Sequence, residues 1–307
     1  MSPSSPHVDD FVFLRGRPPI PEFVNFIRTM AVNGQNIDQN ALVSEWRLAN
    51  DRIRELEQTE GGVADNPAVT DIDSSVRQLL DAALAQPGAQ KTFGLVPSKW
   101  SIVELDRLVV YQKFINLRYV DELKRGVSDT PLPIDLANFS AGFGLPNSKV
   151  RVSQSGTNTF AFTSVSEDLR FLDVNLLDTA KVTNYVAPGR PIALVAVAIG
   201  FGPNFITALK IENRLVLHNG SHRAYALRDL GVTHVPCLVQ DVSREDELEL
   251  VGVPDLKTFA DRYLRNPRPA LLKDYFDPRL RMMVPVVRKH RLVQVQVGWQ
   301  EGKVPAT

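Results

Sequence analysis

The sequence predicts an α/β, or α+β, fold built around a mixed β-sheet. Amphipathic helical stretches occupy the first 95 residues, continuous apolar runs typical of buried strands follow, and residues 214–239 read strand, turn, helix and strand in succession. The chain has 307 residues, of which 44% are hydrophobic. This content suffices for a sizeable core, and the length favours about two domains.

Residues 1–95 are predicted to form a helical N-terminal extension. Prolines throughout residues 1–20 indicate an extended arm that packs on another part of the protein. In residues 37–56 and 73–85, apolar side chains recur at spacings of three and four, which is typical of amphipathic helices. Because two such helices cannot bury their apolar faces alone, we expect residues 1–95 to cover the central domain or to bind another subunit or protein.

A central domain is predicted over residues 96–245, with an insertion at about 126–190. Within this insertion, residues 150–163 alternate apolar and polar side chains around a Ser-Gly-Thr-Asn turn, which predicts a β-hairpin. The continuous apolar run 192–199 and the segment 205–211 are predicted to join the mixed sheet as buried strands.

Residues 246–307 are predicted to be a C-terminal helix and strand extension. Basic residues are frequent at 279–291, and residues 292–297 then alternate as a strand. The basic segment is interleaved with Met and Val and lacks aromatic side chains on which bases could stack. This pattern favours a strand edge over a nucleic-acid interface.

The segment 214–239 carries the main candidate site. An apolar strand leads into a turn, and the first residues of a helix follow. A helix N-terminus has unpaired N–H groups and roughly half a positive charge, so it attracts phosphate or carboxylate. The candidate residues are Asn219, Gly220, Ser221, His222 and Arg223. The alternative is a purely structural helix start, with Arg223 paired to a nearby acid.

Metal and thiol chemistry are not predicted for this segment. His218 and His222 are four residues apart, but the Asn-Gly turn interrupts the helix that a histidine pair would need to share a metal. The only cysteine, Cys237, lies in an apolar strand and is expected to be buried and inert.

The same segment resembles the second conserved box of the ParB/sulfiredoxin superfamily, in which a strand leads into Gly-x-x-Arg, a short helix, a glycine and a Val-Pro strand. The matching residues are Gly220, Arg223, Ala224, Ala226, Gly231, Val235 and Pro236. Residues 102–123 are similar to the first box of the family, with Gln112 at a position where many members carry a glutamine or a catalytic glutamate.

This resemblance implies a ParB/sulfiredoxin-like mixed sheet that binds ATP or CTP with Mg²⁺, the phosphates lying on the Gly-x-x-Arg turn and Gln112 and Lys113 lying at its mouth. It does not imply sulfinic-acid repair, because Ser221 replaces the cysteine of sulfiredoxin. It does not imply the kinase mechanism of the superfamily either, because Gln112 cannot accept a proton. Carboxylates that could hold Mg²⁺ are Glu104, Asp106, Asp173, Asp178 and Glu212.

The expected function is binding of a nucleotide or a phosphorylated small molecule, extending to a small-molecule phosphotransferase. The alternatives are a non-catalytic nucleotide-sensing or structural assembly protein, as a homo-oligomer or with a protein partner bound through residues 1–95, and a DNA-binding regulator. The net charge is zero, so no global field draws the chain to nucleic acid. A membrane span and a secretory signal are not predicted, so a cytoplasmic location is expected.

Overall fold

The computed structural model describes residues 7–145, 148–182, 186 and 189–305. The chain divides into two compact units, Met1–Pro146 with Pro203–Arg288, and Asn147–Gly202 with Lys289–Thr307. The predicted boundaries at residues 95 and 245 both fall inside the first unit. The predicted insertion at 126–190 corresponds to the 147–202 part of the second unit, which the last residues of the chain complete. The first six residues of the predicted arm lie outside the described residues.

The described residues form the following strands and helices. The strands are β1 Val8–Leu14, β2 Val69–Asp71, β3 Ser98–Glu104, β4 Val109–Val110, β5 Phe114–Asn116, β6 Val150–Ser155, β7 Thr159–Ser164, β8 Arg170–Leu177, β9 Leu194–Gly200, β10 Thr207–Ile211, β11 Arg214–Asn219, β12 His234–Val242, β13 Arg281–Val287 and β14 Arg291–Gln296. The helices are α1 Ile20–Met30, α2 Gln39–Glu60, α3 Ser74–Leu84, α4 Pro87–Phe93, α5 Leu117–Lys124, α6 Pro133–Ser140, α7 Ser221–Asp229, α8 Glu245–Val251, α9 Pro254–Thr258 and α10 Ala260–Leu264.

The first unit is built on a mixed sheet with the strand order β2-β3-β12-β10-β11-β4. Strand β11 is antiparallel to β10 and parallel to β4, while β10 is parallel to β12. Leu215 and Leu217 pack into one hydrophobic cluster and Val216 packs into another. Because successive side chains of a strand point to opposite faces, both faces of this sheet are covered. The predicted α+β class with a mixed sheet is confirmed.

A second sheet of the first unit has the order β13-β1-β5. Strand β1 lies in its middle, and Phe13 and Leu14 are buried in the core. Arg288, in the predicted basic segment, donates to both carboxylate oxygens of Asp9 on β1. The N-terminal residues are therefore an integral part of this unit, which differs from the predicted separate extension.

The helices of the N-terminal region are partly those predicted. Helices α2 and α3 match the predicted 37–56 and 73–85 closely, and Asp73 caps α3 by accepting a hydrogen bond from the backbone N–H of Ser75. Helix α1 was not predicted, and it packs its phenylalanines on β1, with the Phe13 and Phe26 ring centroids 4.4 Å apart. Helix α3 ends at Leu84, and Pro87 then starts α4, where its missing N–H costs nothing.

The second unit contains two small sheets. Strands β6 and β7 form the predicted hairpin, with Gly156 at a φ of 68° in its turn, and β14 pairs with β7. Strands β8 and β9 form a separate antiparallel ribbon. The prediction that residues 192–199 join the main sheet is wrong, because β9 pairs with β8 and its apolar side chains remain largely exposed.

Candidate anion-binding edge of the central sheet

The turn between β11 and α7 has the conformation that its sequence predicts. Gly220 precedes the helix with φ 89° and ψ 24°, in the left-handed region that favours glycine. A Cβ atom at this position would lie 3.0 Å from Cγ1 and 3.2 Å from Cα of Ile206. Gly220 has no side chain to cap the helix, and the first intrahelical bond runs from the Ala224 N–H to the Gly220 carbonyl at 2.8 Å. The N–H groups of Ser221, His222 and Arg223 thus precede the helical ladder.

The side chain of Arg223 is directed into the protein and is only 3% exposed. Its guanidinium donates to the carbonyl oxygens of Phe139 and Ser140, at the C-terminus of α6, and to Oδ1 of Asn204. The Asn219 side chain donates to the same Asn204 oxygen at 2.9 Å. Arg223 and Asn219 therefore hold the turn against α6 and Asn204. Their predicted contact with phosphate stays a prediction, and their side-chain positions do not support it.

His222 is uncharged at neutral pH. Burial lowers the pKa of its imidazole to about 4, and Nε2 accepts a hydrogen bond of 3.0 Å from the backbone N–H of Asn116. The ring also packs edge-on against Tyr119. His222 therefore offers no positive charge to a phosphate at neutral pH, and its Nε2 lone pair is already used.

The two boxes identified in the sequence meet at one edge of the sheet. Val110 lies beside Leu217 in the parallel pairing of β4 with β11, so the residues that follow both strands emerge at the same end. The Tyr111 hydroxyl donates to the His218 carbonyl at 2.6 Å and fixes this alignment. Open α/β sheets bind ligands beyond the carboxyl ends of their strands.

A cleft of about 300 Å³ lies beside the end of β4. Gln112 and Lys113 line it, whereas the residues of the Gly220 turn do not. Its wall combines aromatic rings with amides and cations, namely Trp46, Tyr111, Tyr263, Asn50, Asn266, Arg17, Lys113 and Arg262. Such a mixed wall can hold an uncharged aromatic or hydroxylated group as well as an anion.

Acidic partners neutralise much of the positive charge of the cleft. Lys113 is ion-paired with Glu22, and its Nζ lies 3.7 Å from Asp255. Arg17 donates to Asp274 at 2.9 Å and to the Arg268 carbonyl. Lys113 is thus near the predicted mouth, but it can offer only part of its charge to a ligand. Gln112 donates to the Phe114 carbonyl at 3.2 Å, which orients its amide along the wall.

Sequence reasoning missed most of the cleft wall. Arg17, Trp46 and Asn50 come from the N-terminal region, and Arg262, Tyr263 and Asn266 come from α10 and the turn after it. None of these residues carries a local motif. Burial raises the pKa of Tyr111 to about 12, so its hydroxyl remains a hydrogen-bond donor at all ordinary pH values.

The predicted acidic and thiol residues are placed as follows. Asp106 forms a bidentate ion pair with Arg228 of α7, and among the described residues no group of three or more His, Cys, Asp or Glu side chains is arranged to hold a metal ion. Cys237 is buried, and burial raises the pKa of its thiol. In the part of the chain that the structure describes, no helix combines the length and the apolar character needed to cross a membrane.

Comparison with protein-family models, with curated proteins and with solved structures gives no match for this chain.

Proposed function

We propose that this protein binds a nucleotide or another phosphorylated small molecule at the shared edge of β4 and β11. The phosphate would lie on the N-terminal N–H groups of α7, and the organic part would lie in the adjoining cleft. The observation that carries the proposal is that the uncapped helix start at Gly220 and the cleft residues Tyr111 to Lys113 follow two neighbouring parallel strands at the same end of the sheet.

Three features support placing the phosphate at the start of α7 and the organic part of the ligand in the cleft. The helix start offers backbone donors that no cap from Gly220 occupies, and the helix dipole favours an anion there. The cleft, with its aromatic rings and amides, suits a base or sugar better than several phosphates, because its cations are paired with acids. We infer that Mg²⁺ would accompany ATP or CTP as a phosphate-bound counter-ion.

Ser221 offers the sharpest test because two substitutions there separate binding from folding. Ser221→Asp places a carboxylate at the helix start, where it stabilises the helix but repels a phosphate. Ser221→Ala leaves all backbone N–H groups in place. Arg223→Ala is a poorer choice, because it would leave the Phe139 and Ser140 carbonyls without their donor.

The measurement is isothermal calorimetry of ATP, CTP, GTP and pyrophosphate, each with MgCl₂. We expect Ser221→Asp to weaken the affinity at least tenfold, which corresponds to about 1.4 kcal/mol, and Ser221→Ala to change it little. Lys113→Met should weaken nucleotide binding by a smaller factor, whereas Lys210→Met, on the exposed part of β10, should not. Absence of binding at millimolar concentration, or equal binding by both Ser221 variants, would overturn the proposal.

A further inference from the structure

The β8–β9 ribbon of the second unit has one face made only of apolar side chains. In its register, Phe171 lies opposite Ile199, Val174 opposite Val197, and Leu176 opposite Val195. Directly opposed residues share a face, so these three pairs lie in one row, with a register shift between Phe171 and Asp173. The other face pairs Asp173 with Ala198 and Asn175 with Ala196, and it is therefore more polar.

This apolar row is exposed to an unusual degree. The exposed fractions are 74% for Leu176, 70% for Val195 and 53% for Phe171 and Val174. An isolated two-stranded ribbon is at best marginally stable in water, and a monomer rarely exposes an apolar patch of more than a few hundred Å². The continuous apolar sequence of β9 is itself typical of a strand buried on both faces. The ribbon thus has the composition of a strand pair that is buried in a protein, but its apolar face is exposed.

The exposed area is close to what a stable dimer needs. Taking roughly 150 to 200 Å² for a fully exposed side chain of this size, five members of the row expose on the order of 500 Å². They are Phe171, Val174, Leu176, Val195 and Val197. Two copies of the row would therefore bury about 1,000 Å² together, which is the lower limit for a biological interface.

We propose that the β8–β9 apolar row is a homodimer interface, in which the row of one chain stacks face to face on the row of a second copy. A two-fold contact brings the same patch together with itself, so the patch must be self-complementary. A row without charges meets this condition, since it contains nothing that repels its copy. The zero net charge of the chain also removes long-range repulsion between copies. Two sheets stacked in this way pack about 10 Å apart, as in β-sandwiches.

The primary test measures the mass of the full chain by sedimentation equilibrium between about 1 and 100 µM, a range that covers typical weak and moderate dimers. We expect the mass of two chains at the upper end. Leu176→Lys should raise the dissociation constant at least tenfold. Asn175→Lys, its neighbour on the opposite face, should leave it unchanged. Leu176→Thr introduces an uncharged, β-branched residue that suits a strand, and it should weaken the dimer less than Leu176→Lys does. Circular dichroism checks that each variant folds.

A cross-linking experiment tests directly which face of the β8–β9 ribbon contacts the second copy. Cys237 is the only cysteine of the chain and is buried. Val174→Cys therefore introduces one accessible thiol in the apolar row, and a short bismaleimide should join two chains there. Asn175→Cys, on the opposite face, should give no cross-linked dimer. A single-chain mass at 100 µM, equal effects of Leu176→Lys and Asn175→Lys, or cross-linking through Asn175→Cys but not Val174→Cys would overturn the proposal.

Discussion

The two units use the same apolar residue types in opposite ways. Leu217 of β11 is 1% exposed, whereas Leu176 of β8 is 74% exposed, although both lie in strands rich in Leu and Val. In the first unit, helices α5 and α7 contribute to one cluster and α9 and α10 to another, and β11 lies between them. No comparable cluster forms among the described residues of the ribbon. Apolar composition thus predicts a strand, while the elements packed on it determine its burial.

The contrast extends to charged groups. Asp274 is 2% exposed and accepts from both Arg268 and Arg17, in addition to the Leu271 N–H. Arg268, at 1% exposed, also donates to Glu60. The first unit therefore contains a buried ionic network that its own residues satisfy, whereas the ribbon presents an apolar surface that nothing in the described chain covers. Four predictions follow from these contrasts, and each compares a substitution with a matched control.

The largest effect is expected at the buried network. Asp274→Ala leaves Arg17 and Arg268 buried without their main counter-ion, and breaking a buried ion pair typically costs about 3 to 5 kcal/mol. We expect a loss of this size in the free energy of unfolding measured by urea denaturation. Asp246→Ala removes a carboxylate whose partner, Arg244, is exposed, and it should cost less than about 0.5 kcal/mol. If Asp274→Ala and Asp246→Ala lower the free energy of unfolding equally, the ionic network is not buried in the folded protein.

A matched pair of leucine substitutions tests the burial contrast itself. Leu217→Ala should destabilise the protein by about 2 to 5 kcal/mol, because it creates a cavity between packed layers. Leu176→Ala should cost less than about 0.5 kcal/mol at concentrations where the chain is monomeric. Urea denaturation followed by far-UV circular dichroism, which reports on the strands and helices of both units, gives both values. A large loss for Leu176→Ala in the monomer would mean that the ribbon is covered within one chain.

The stability of the first unit should depend on His222 at mildly acidic pH. The unfolded chain protonates this histidine near pH 6.5, while burial lowers the pKa in the folded state to about 4. Between these values the unfolded state binds more protons, so the free energy of unfolding decreases as the pH falls, by about 2 to 3 kcal/mol in all. The measurement is urea denaturation at pH 7, 5.5 and 4.

Two replacements control for other titrating groups. His222→Gln can still accept from Asn116, and it should remove this part of the pH dependence. His290→Gln, at an exposed position of the second unit, should retain it. If His222→Gln and the natural chain lose stability equally between pH 7 and 4, the buried neutral imidazole is not the cause.

The smallest effect has the opposite sign. Ser221→Asp should raise the free energy of unfolding by about 0.3 to 1 kcal/mol, because a carboxylate at the start of α7 interacts favourably with the helix dipole. Ser221→Ala is the reference, and high salt should reduce the gain. A destabilised Ser221→Asp variant would indicate that the N–H groups of this turn are already satisfied within the protein.

Local signals made part of this molecule predictable from sequence. The path from β11 through Gly220 into α7 and β12 was predicted because its strand, turn and cap residues are contiguous. The hairpin around Gly156 was predicted for the same reason. In contrast, two of the three acceptors of the Arg223 guanidinium lie in α6, more than 80 residues earlier in the chain. No pattern near Arg223 indicates whether its guanidinium contacts phosphate or a helix C-terminus.

The cleft and the pairing of β9 depend on tertiary structure, so local sequence patterns did not predict them. Trp46 and Tyr263 meet at the cleft from opposite ends of the sequence, so no spacing rule connects them. The apolar run of β9 fits a central strand, but its partner β8 precedes it in the same unit and takes its hydrogen bonds. Pro87 could not be assigned from sequence alone, because a proline can end one helix or begin the next.

The position of β13 and β14 near the end of the chain has a consequence for biosynthesis. Strand β1 cannot obtain its neighbour β13 until residues 281–287 have been made, and β7 cannot obtain β14 until residues 291–296 have been made. A ribosome adds about 5 to 20 residues per second, so β1 and β7 wait many seconds after their own synthesis. During that interval each exposes an unpaired strand edge, which a chaperone that binds extended apolar segments could protect. Neither unit can form all of its strand pairs until residues 281–296 have been made.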